Sequence, residues 1–177
     1  KGVLPIALFA KEKGMKEIYV PRENMAEATI AGDIEVYPVD NLNSLIEHLT
    51  GKQLITPAEK IDINRLFSYE EHLVDMADIK GQEHAKRALE ITAAGGHNVL
   101  LNGPPGSGKT MLAKTMPSIL PKLTVSEALE ITKIYSISGL LPREIPLITK
   151  RQFRSPHHSA SAVSLVGGGA FPRPGEI

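Results

Sequence analysis

A glycine-rich stretch past the middle of the chain carries residue types that could bind phosphate groups. From Gly103 to Thr110 the residues follow the order G-x-x-x-x-G-K-T. Glycines let successive backbone N–H groups turn toward phosphate oxygens, and a helix that begins here directs its positive end at the same charge. Lys109 would add a cation beside the β- and γ-phosphates, and the Thr110 hydroxyl would ligate a bridging Mg²⁺. The pattern predicts an ATP and Mg²⁺ site with these candidate residues: Gly103, Pro104, Pro105, Gly106, Ser107, Gly108, Lys109, Thr110 and Met111.

The segments on either side of this loop fit the same prediction. The run "NVLLN", residues 98–102, is short and apolar and predicts a strand that enters the loop. The run "KTMLAKTM" predicts a helix that leaves the loop and is ended by Pro117 and the nearby Pro121, because proline lacks the N–H that a helix interior needs. A glycine-rich turn without a ligand is the alternative. A strand before the loop and a helix after it favour nucleotide binding over that alternative.

Three parts can be distinguished along the chain by pattern. Residues 1–56 alternate helix and strand patterns, with a helix ending at Gly14 and strands in "EIYVP" and "IEVYPV", which predicts an α/β unit. Residues 57–74 show weak periodicity and are expected to form a linker. Residues 75–177 hold the loop and two more helices, in "GQEHAKRALEITAAGG" and in "TVSEALEITKIYSIS". The second of these helices begins with the spacing of a capping box, Thr124 followed by Glu127.

The last part of the chain is basic and contains two adjacent histidines. From residue 143 onward there is a surplus of three positive charges over acidic residues. A solvated or structural role and contact with DNA or RNA phosphates both remain open. A metal site is the weaker alternative, since neighbouring residues of a strand point to opposite faces. Glycines and prolines in "SLVGGGAFPRPGEI" predict a loop or hairpin. The candidates for nucleic-acid contact are Arg151, Arg154, His157, His158 and Arg173.

Composition excludes some classes of protein. The chain has no cysteine, which excludes disulfides and thiolate metal sites and fits a cytoplasmic location. Its formal net charge is zero, so no overall basic field indicates nucleic acid, although a local patch could. No apolar run approaches the ~20 residues of a membrane span. We therefore expect a cytoplasmic protein that does not enter a membrane.

Two long segments of the sequence resemble segments of a known protein family. "GQEHAKRALEITAAGGHNVLLNGPPGSGKTMLAKTMPSILP" and "FRSPHHSASAVSLVGGGAFPRPGEI" resemble the magnesium-chelatase-like AAA+ ATPases of the YifB/ComM type. The resemblance implies a P-loop NTPase core with a parallel sheet and an ATP-driven motor that remodels DNA by branch migration during natural transformation. It also implies a homo-hexamer whose glycine-rich hairpin faces a central pore. By the same resemblance, the D-I-x-G-Q segment places Ile79, Gly81 and Gln82 in the lining of the adenine pocket.

The resemblance leaves other functions open and limits the expected activity. The ATPase subunit of a magnesium chelatase and an ATPase that acts on a protein client are the alternatives. The family's Walker B carboxylates, arginine finger and helical lid would all follow Ile177. We therefore expect an AAA+ core that is incomplete at its C-terminus, no catalytic residue within this chain, and nucleotide binding with negligible turnover.

Residues 1–56 resemble the C-terminal portion of a Lon-protease-like α/β domain, of the kind called S5 domain 2-like. Active Lon domains use a serine and a lysine, and the serine would precede Lys1. The lysine position falls near Pro5, and proline can neither act as a base nor activate a hydroxyl. The resemblance therefore implies a domain without peptidase activity and with a structural role.

Overall fold

The computed structural model describes residues 1–67, 74–142, 144–169 and 172–177. It is a mixed α/β structure with a small parallel sheet and a short antiparallel hairpin. Its elements in chain order are α1 Val3–Glu12, β1 Glu17–Pro21, a 3-10 turn Arg22–Asn24, α2 Met25–Thr29, β2 Glu35–Val39, α3 Leu42–Leu49, α4 Ile63–Leu66, a 3-10 turn Met76–Asp78, α5 Glu83–Gly95, α6 Lys109–Ile119, α7 Val125–Ser138, α8 Ala162–Val166, β3 Gly167–Gly168 and β4 Arg173–Pro174.

The parallel sheet lies in the first 56 residues, where the sequence predicted an α/β unit. Strands β1 and β2 pair in register from Glu17 opposite Glu35 to Pro21 opposite Val39. Alternate residues of each strand point to opposite faces, so Val20 is buried while the paired glutamates stay exposed. Helices α1 and α2 supply small buried residues to this core, which comprises Ala7, Ala10, Val20, Ala28, Ala31, Ile34 and Val36. The helix and strand predictions for this part are confirmed.

Helix α7 packs directly on the first part of the chain. It begins at the expected capping box, in which the Thr124 hydroxyl accepts the Glu127 backbone N–H and the Glu127 carboxylate accepts the Thr124 backbone N–H. Side chains from both parts form one apolar cluster, whose buried members are Leu4, Ile30, Leu123, Ala128 and Leu147. We call this set the junction core. It joins α1 to α7, so the two parts share buried surface.

The segment expected to be a linker contributes to the junction core. Four of its apolar side chains are partly buried against the core: Ile61, Ile63, Leu66 and Phe67. Helix α4 forms within the segment, with the Asp62 carboxylate accepting the Asn64 backbone N–H at its start. Residues 68–73 of the expected linker lie outside the described residues. The segment therefore packs through these four residues, and the domain boundary near Pro57 stays a prediction.

Glu27 of α2 makes the main polar contacts beside the junction core. One carboxylate oxygen, Oε1, accepts the Leu4 backbone N–H at 2.8 Å and also the Ser136 hydroxyl of α7. The Ser136 carbonyl in turn accepts the Gly2 backbone N–H at 3.1 Å. Because α1 begins at Val3, the Glu27 carboxylate satisfies one of the free N–H groups at the start of that helix. A single side chain thus connects three helices.

A third cluster lies between the helices on either side of the glycine-rich loop. Helices α5 and α6 and the 3-10 turn before them bury Met76, Ile79, Leu89 and Leu112 together. The turn has its own capping box, at Asp75 and Asp78, and its Met76 backbone N–H donates to the Ser118 hydroxyl of α6. This cluster fixes the start of α5 beside the start of α6.

Two expectations near the loop are wrong. Residues 98–102 form no strand, and Leu100 is 91% exposed. A strand needs a hydrogen-bonded neighbour, and the described residues provide none beside this segment, so a parallel sheet around the loop is not formed by them. Helix α6 also continues through Pro117 to Ile119. Proline removes one helical hydrogen bond, and the helix extends only two residues beyond it, ending with Leu120 N–H on the Met116 carbonyl.

The end of the chain forms the hairpin that its glycines and prolines predicted. Strands β3 and β4 pair antiparallel, with Gly167 opposite Pro174. A Cβ at Gly167 would lie 2.6 Å from the Arg173 carbonyl oxygen, so only glycine fits this close approach. Residues 170 and 171 lie outside the described residues. Across the described part of the chain, no helix has the length and apolar character needed to cross a membrane.

Candidate nucleotide-binding site

The glycine-rich loop leads directly into the start of α6. Gly106 and Gly108 have φ angles of +79° and +85°, a region that side chains disfavour, so glycine is needed at both positions. Helix α6 begins at Lys109, and its first main-chain bond joins the Leu112 N–H to the Gly108 carbonyl. The N–H groups of the residues between them lack helical acceptors and lie at the positive end of the helix dipole. This geometry can bind an anion such as a phosphate group.

Lys109 is held against the loop by oxygen atoms. Its ammonium group donates to the Gly103 carbonyl at 2.8 Å and to the Pro104 carbonyl at 2.7 Å. It also contacts the Ser107 hydroxyl at 3.2 Å. The side chain therefore curls back over the loop that precedes it, and the cation lies within the ring of backbone from 103 to 109.

The D-I-x-G-Q turn contacts the loop through Gln82, and its assignment to an adenine pocket stays a prediction. Ile79 is buried in the cluster with Leu89 and Leu112, so its side chain supports the turn from within. Gly81 has a φ of +68° and Gln82 a φ of +61°. The Gln82 side-chain amide donates to the Ser107 carbonyl at 3.5 Å. This contact links the turn to the loop, and sequence reasoning did not foresee it.

These residues fit a nucleotide with a bound magnesium ion. The loop provides backbone donors and the Lys109 ammonium, and the exposed Thr110 stands in the first turn of α6. Thr110 would contribute a hydroxyl ligand to Mg²⁺, which would neutralise charge on the phosphates. Among the residues that the structure describes, no group of three or more metal-binding side chains comes together.

Two of the nucleic-acid candidates are engaged in contacts within the chain. Arg151 donates to the Pro121 carbonyl at 2.7 Å and to a Glu127 carboxylate oxygen at 3.2 Å. Hydrogen bonds from Thr124 and then from Arg151 lower the pKa of Glu127 below its ordinary value. Arg154 donates through Nε to Glu176 at 2.6 Å, and this bond raises the pKa of the arginine. Both arginines therefore connect elements of the fold.

The other tail candidates are more open. The rings of His157 and His158 lie next to each other with centroids 4.2 Å apart, and His157 Nδ1 contacts the Ser159 hydroxyl at 2.7 Å. The pair stands in a turn, so the expectation that the two rings point to opposite faces of a strand is wrong. Arg173 lies exposed on β4 and forms no ion pair with the residues that the structure describes. Arg143, which contributed to the predicted basic surplus, lies outside the described residues.

The chain is similar to a known family and to several known proteins over most of its length. The family model described as magnesium chelatase, subunit ChlI, matches residues 75–177. The competence protein ComM of Haemophilus influenzae is 41% identical over 179 residues, which cover 99% of this chain and 34% of that protein. An uncharacterised protein of Escherichia coli named YifB is 42% identical over 177 residues, with the same coverage of both chains.

A shorter match involves a protease. The archaeal Lon protease of Archaeoglobus fulgidus is 42% identical over 59 residues, which cover 33% of this chain and 9% of the protease. The chain spans about a third of the length of the curated relatives that it matches throughout.

Proposed function

The chain belongs to the magnesium chelatase family, with ComM and YifB among its relatives, and from that premise we propose that it is the ATP-binding part of an AAA+ motor. The observation that carries the proposal is the loop from Gly103 to Thr110. Two glycines with positive φ, a lysine held over the loop and the start of an 11-residue helix converge there. Each of these groups favours a bound triphosphate over an uncharged ligand.

The proposed motor remodels DNA, with branch migration during natural transformation as its specific task. The name of the Haemophilus relative, a competence protein, supports this choice. Arg173 is the exposed tail cation best placed to contact a DNA phosphate, because Arg151 and Arg154 already bind acidic side chains. In the proposed assembly the full-length protein is a cytoplasmic homo-hexamer, and the hairpin of β3 and β4 faces its pore.

The proposed domain organisation follows the pattern of the sequence. Residues 1–56 are the end of a Lon-like domain without peptidase activity, since Pro5 stands on α1 where an active domain would need a lysine. Residues 57–74 connect it to the ATPase part, residues 75–177. The role proposed for the first part is structural, and its packing on α7 through the junction core supports that role.

Nucleotide binding is tested first, on the full-length protein. Lys109→Ala should weaken ATP binding by about ten- to hundredfold, because a charge-assisted hydrogen bond contributes about 1.5–3 kcal/mol. Lys114→Ala is the matched control, since Lys114 is an exposed lysine of the same helix. Equal affinity of wild type and Lys109→Ala for ATP, measured by titration calorimetry, would contradict the site.

The DNA task is tested by ATP hydrolysis with and without single-stranded and double-stranded DNA. The proposal expects DNA to raise the rate and Arg173→Ala to reduce the salt dependence of DNA binding. If DNA does not change the rate of ATP hydrolysis and no DNA is retained on a gel, the proposed DNA task is refuted and the proposed ATP site is not affected.

A second candidate is the motor subunit of a metal-insertion complex. The description of the matching family, magnesium chelatase, is the observation that favours it. The DNA assay separates the two candidates, because a chelatase motor has no reason to respond to DNA. Hydrolysis stimulated by a metal-insertion partner subunit and unaffected by DNA would favour this second function.

A further inference from the structure

Gln82 has an unusual backbone conformation for its residue type. Its φ and ψ angles are +61° and +34°, and among the described residues it is the single non-glycine residue with a positive φ. An L-residue with a side chain disfavours this left-handed region, and glycine adopts it without strain. The residue before it, Gly81, has a similar conformation at φ +68°. A glutamine at this position suggests that its side chain offsets the strain through a contact.

That contact is made with the phosphate loop. The Gln82 amide nitrogen donates to the Ser107 carbonyl oxygen at 3.5 Å. The two residues are 25 positions apart, so the bond joins the start of α5 to the loop before α6. The packing of α5 against α6 around Leu89 and Leu112 keeps the two ends close.

The peptide group between Ser107 and Gly108 is followed by a residue in the left-handed region, since Gly108 has φ +85° and ψ +6°. Glycine adopts φ of either sign at little cost, so it tolerates rotation of this peptide plane better than any other residue would. The sequence of the loop therefore does not by itself fix the direction of this peptide group.

We propose that Gln82 is a positioning residue that fixes the orientation of the Ser107–Gly108 peptide for phosphate binding. In a trans peptide the C=O and N–H groups point in opposite directions. A Ser107 carbonyl held toward Gln82 therefore directs the Gly108 N–H away from α5, toward the proposed phosphates. This inference rests on the proposed ATP site and gives Gln82 a different role from lining the adenine pocket.

The two roles make different demands on the ligand. A residue that orients a phosphate-binding N–H affects every ligand with the same phosphate chain, whether or not the ligand has a base. A residue that lines the adenine pocket affects only ligands that carry adenine. ATP and inorganic tripolyphosphate share the phosphate chain and differ in the nucleoside, so they separate the roles.

The experiment measures both ligands on the full-length protein with three variants. Gln82→Ala removes the amide and keeps the strained backbone, while Gln82→Gly removes the amide and relieves the strain. Gln53→Ala is the matched control, because Gln53 is exposed and lies far along the chain from the loop. Affinities come from competition with a fluorescent ATP analogue, and stability comes from thermal unfolding.

We expect both Gln82 variants to lose three- to tenfold in affinity for ATP and the same factor for tripolyphosphate, roughly the effect of one weak hydrogen bond. Gln82→Gly should unfold at a higher temperature than Gln82→Ala. Restored affinity in Gln82→Gly would show that Gln82 acts only through stability and would overturn the proposal. A loss for ATP alone would overturn the proposal in favour of the adenine pocket. Unchanged affinities for both ligands would overturn it without supporting either role.

The same titrations distinguish this inference from the proposed function. If wild-type protein binds neither ATP nor tripolyphosphate, the nucleotide site itself is refuted. If wild type binds both and the Gln82 variants bind as tightly, only the positioning role is refuted.

Discussion

Leu4→Ala should destabilise the chain far beyond its own helix. Leu4 is fully buried in the junction core, where it meets Leu123, Ala128 and Leu147 from the second half of the chain. Truncation removes three carbon atoms, about 2.4 kcal/mol of transfer free energy at about 0.8 kcal/mol per group. The cavity left behind raises the expected loss in the free energy of unfolding to about 3 kcal/mol.

This loss corresponds to a measurable change in melting temperature. A chain of 177 residues has an unfolding entropy near 0.37 kcal/mol/K, at about 2.1 cal/mol/K per residue. A loss of about 3 kcal/mol thus lowers the melting temperature by about 8 °C. Circular dichroism on heating measures the shift. Leu54→Ala, at a leucine that is 74% exposed, is the control and should lie within about 0.5 kcal/mol of wild type.

Amide hydrogen exchange shows how far the effect extends. If the junction core joins the two parts, Leu4→Ala should speed exchange in α7 as well as in α1. Faster exchange confined to α1 and α2, or a shift no larger than that of Leu54→Ala, would refute the claim that the two parts share a core.

Three other changes test separate features of the structure. Thr124→Ala should cost about 1 kcal/mol by removing the capping box of α7, and chemical denaturation measures it. The pKa of Glu127 is lowered in the folded chain, so the stability that its carboxylate contributes is present above the ordinary pKa and is lost as the pH falls through the lowered value. Glu127→Gln should therefore weaken the dependence of unfolding on acid. Parallel curves of unfolding free energy against pH for the two proteins would contradict the Thr124 and Arg151 hydrogen bonds. Gly175→Ala should disrupt the terminal hairpin, since its Cβ would lie 2.2 Å from the Leu165 carbonyl, and unchanged amide shifts in the hairpin would argue against this packing.

Local signals in the sequence predicted much of the fold. The capping box at Thr124 places the start of α7 correctly because its two hydrogen bonds lie within four residues. The end of α1 before Gly14 and the strand containing Val20 follow from local preferences in the same way. The glycine-rich loop could be proposed as a phosphate site because its glycines and Lys109 stand at fixed offsets that such chemistry requires, and its ligand stays a prediction.

Features that depend on distant residues were not predictable in this way. The run around Leu100 has the composition of a strand, but composition supplies no hydrogen-bonding neighbour. The packing of Phe67 on the junction core depends on residues far away along the chain, such as Leu4 and Leu123, so the weak periodicity around it indicated a linker. Arg151 and Arg154 looked like free cations because their acidic partners lie 24 and 22 residues away.

The junction core has a consequence for how genetic variants of the protein should be interpreted. A fold in the cell is continuously sampled by proteases, and a loss of 1–2 kcal/mol can change the amount of protein about severalfold. Because Leu4 and Ile30 stabilise the same cluster as α7, a substitution at either position should also reduce the cellular level of the half of the chain that carries the glycine-rich loop. A loss-of-function allele in the first 31 residues is therefore best examined first for protein abundance, by immunoblot, before any separate activity is assigned to that region.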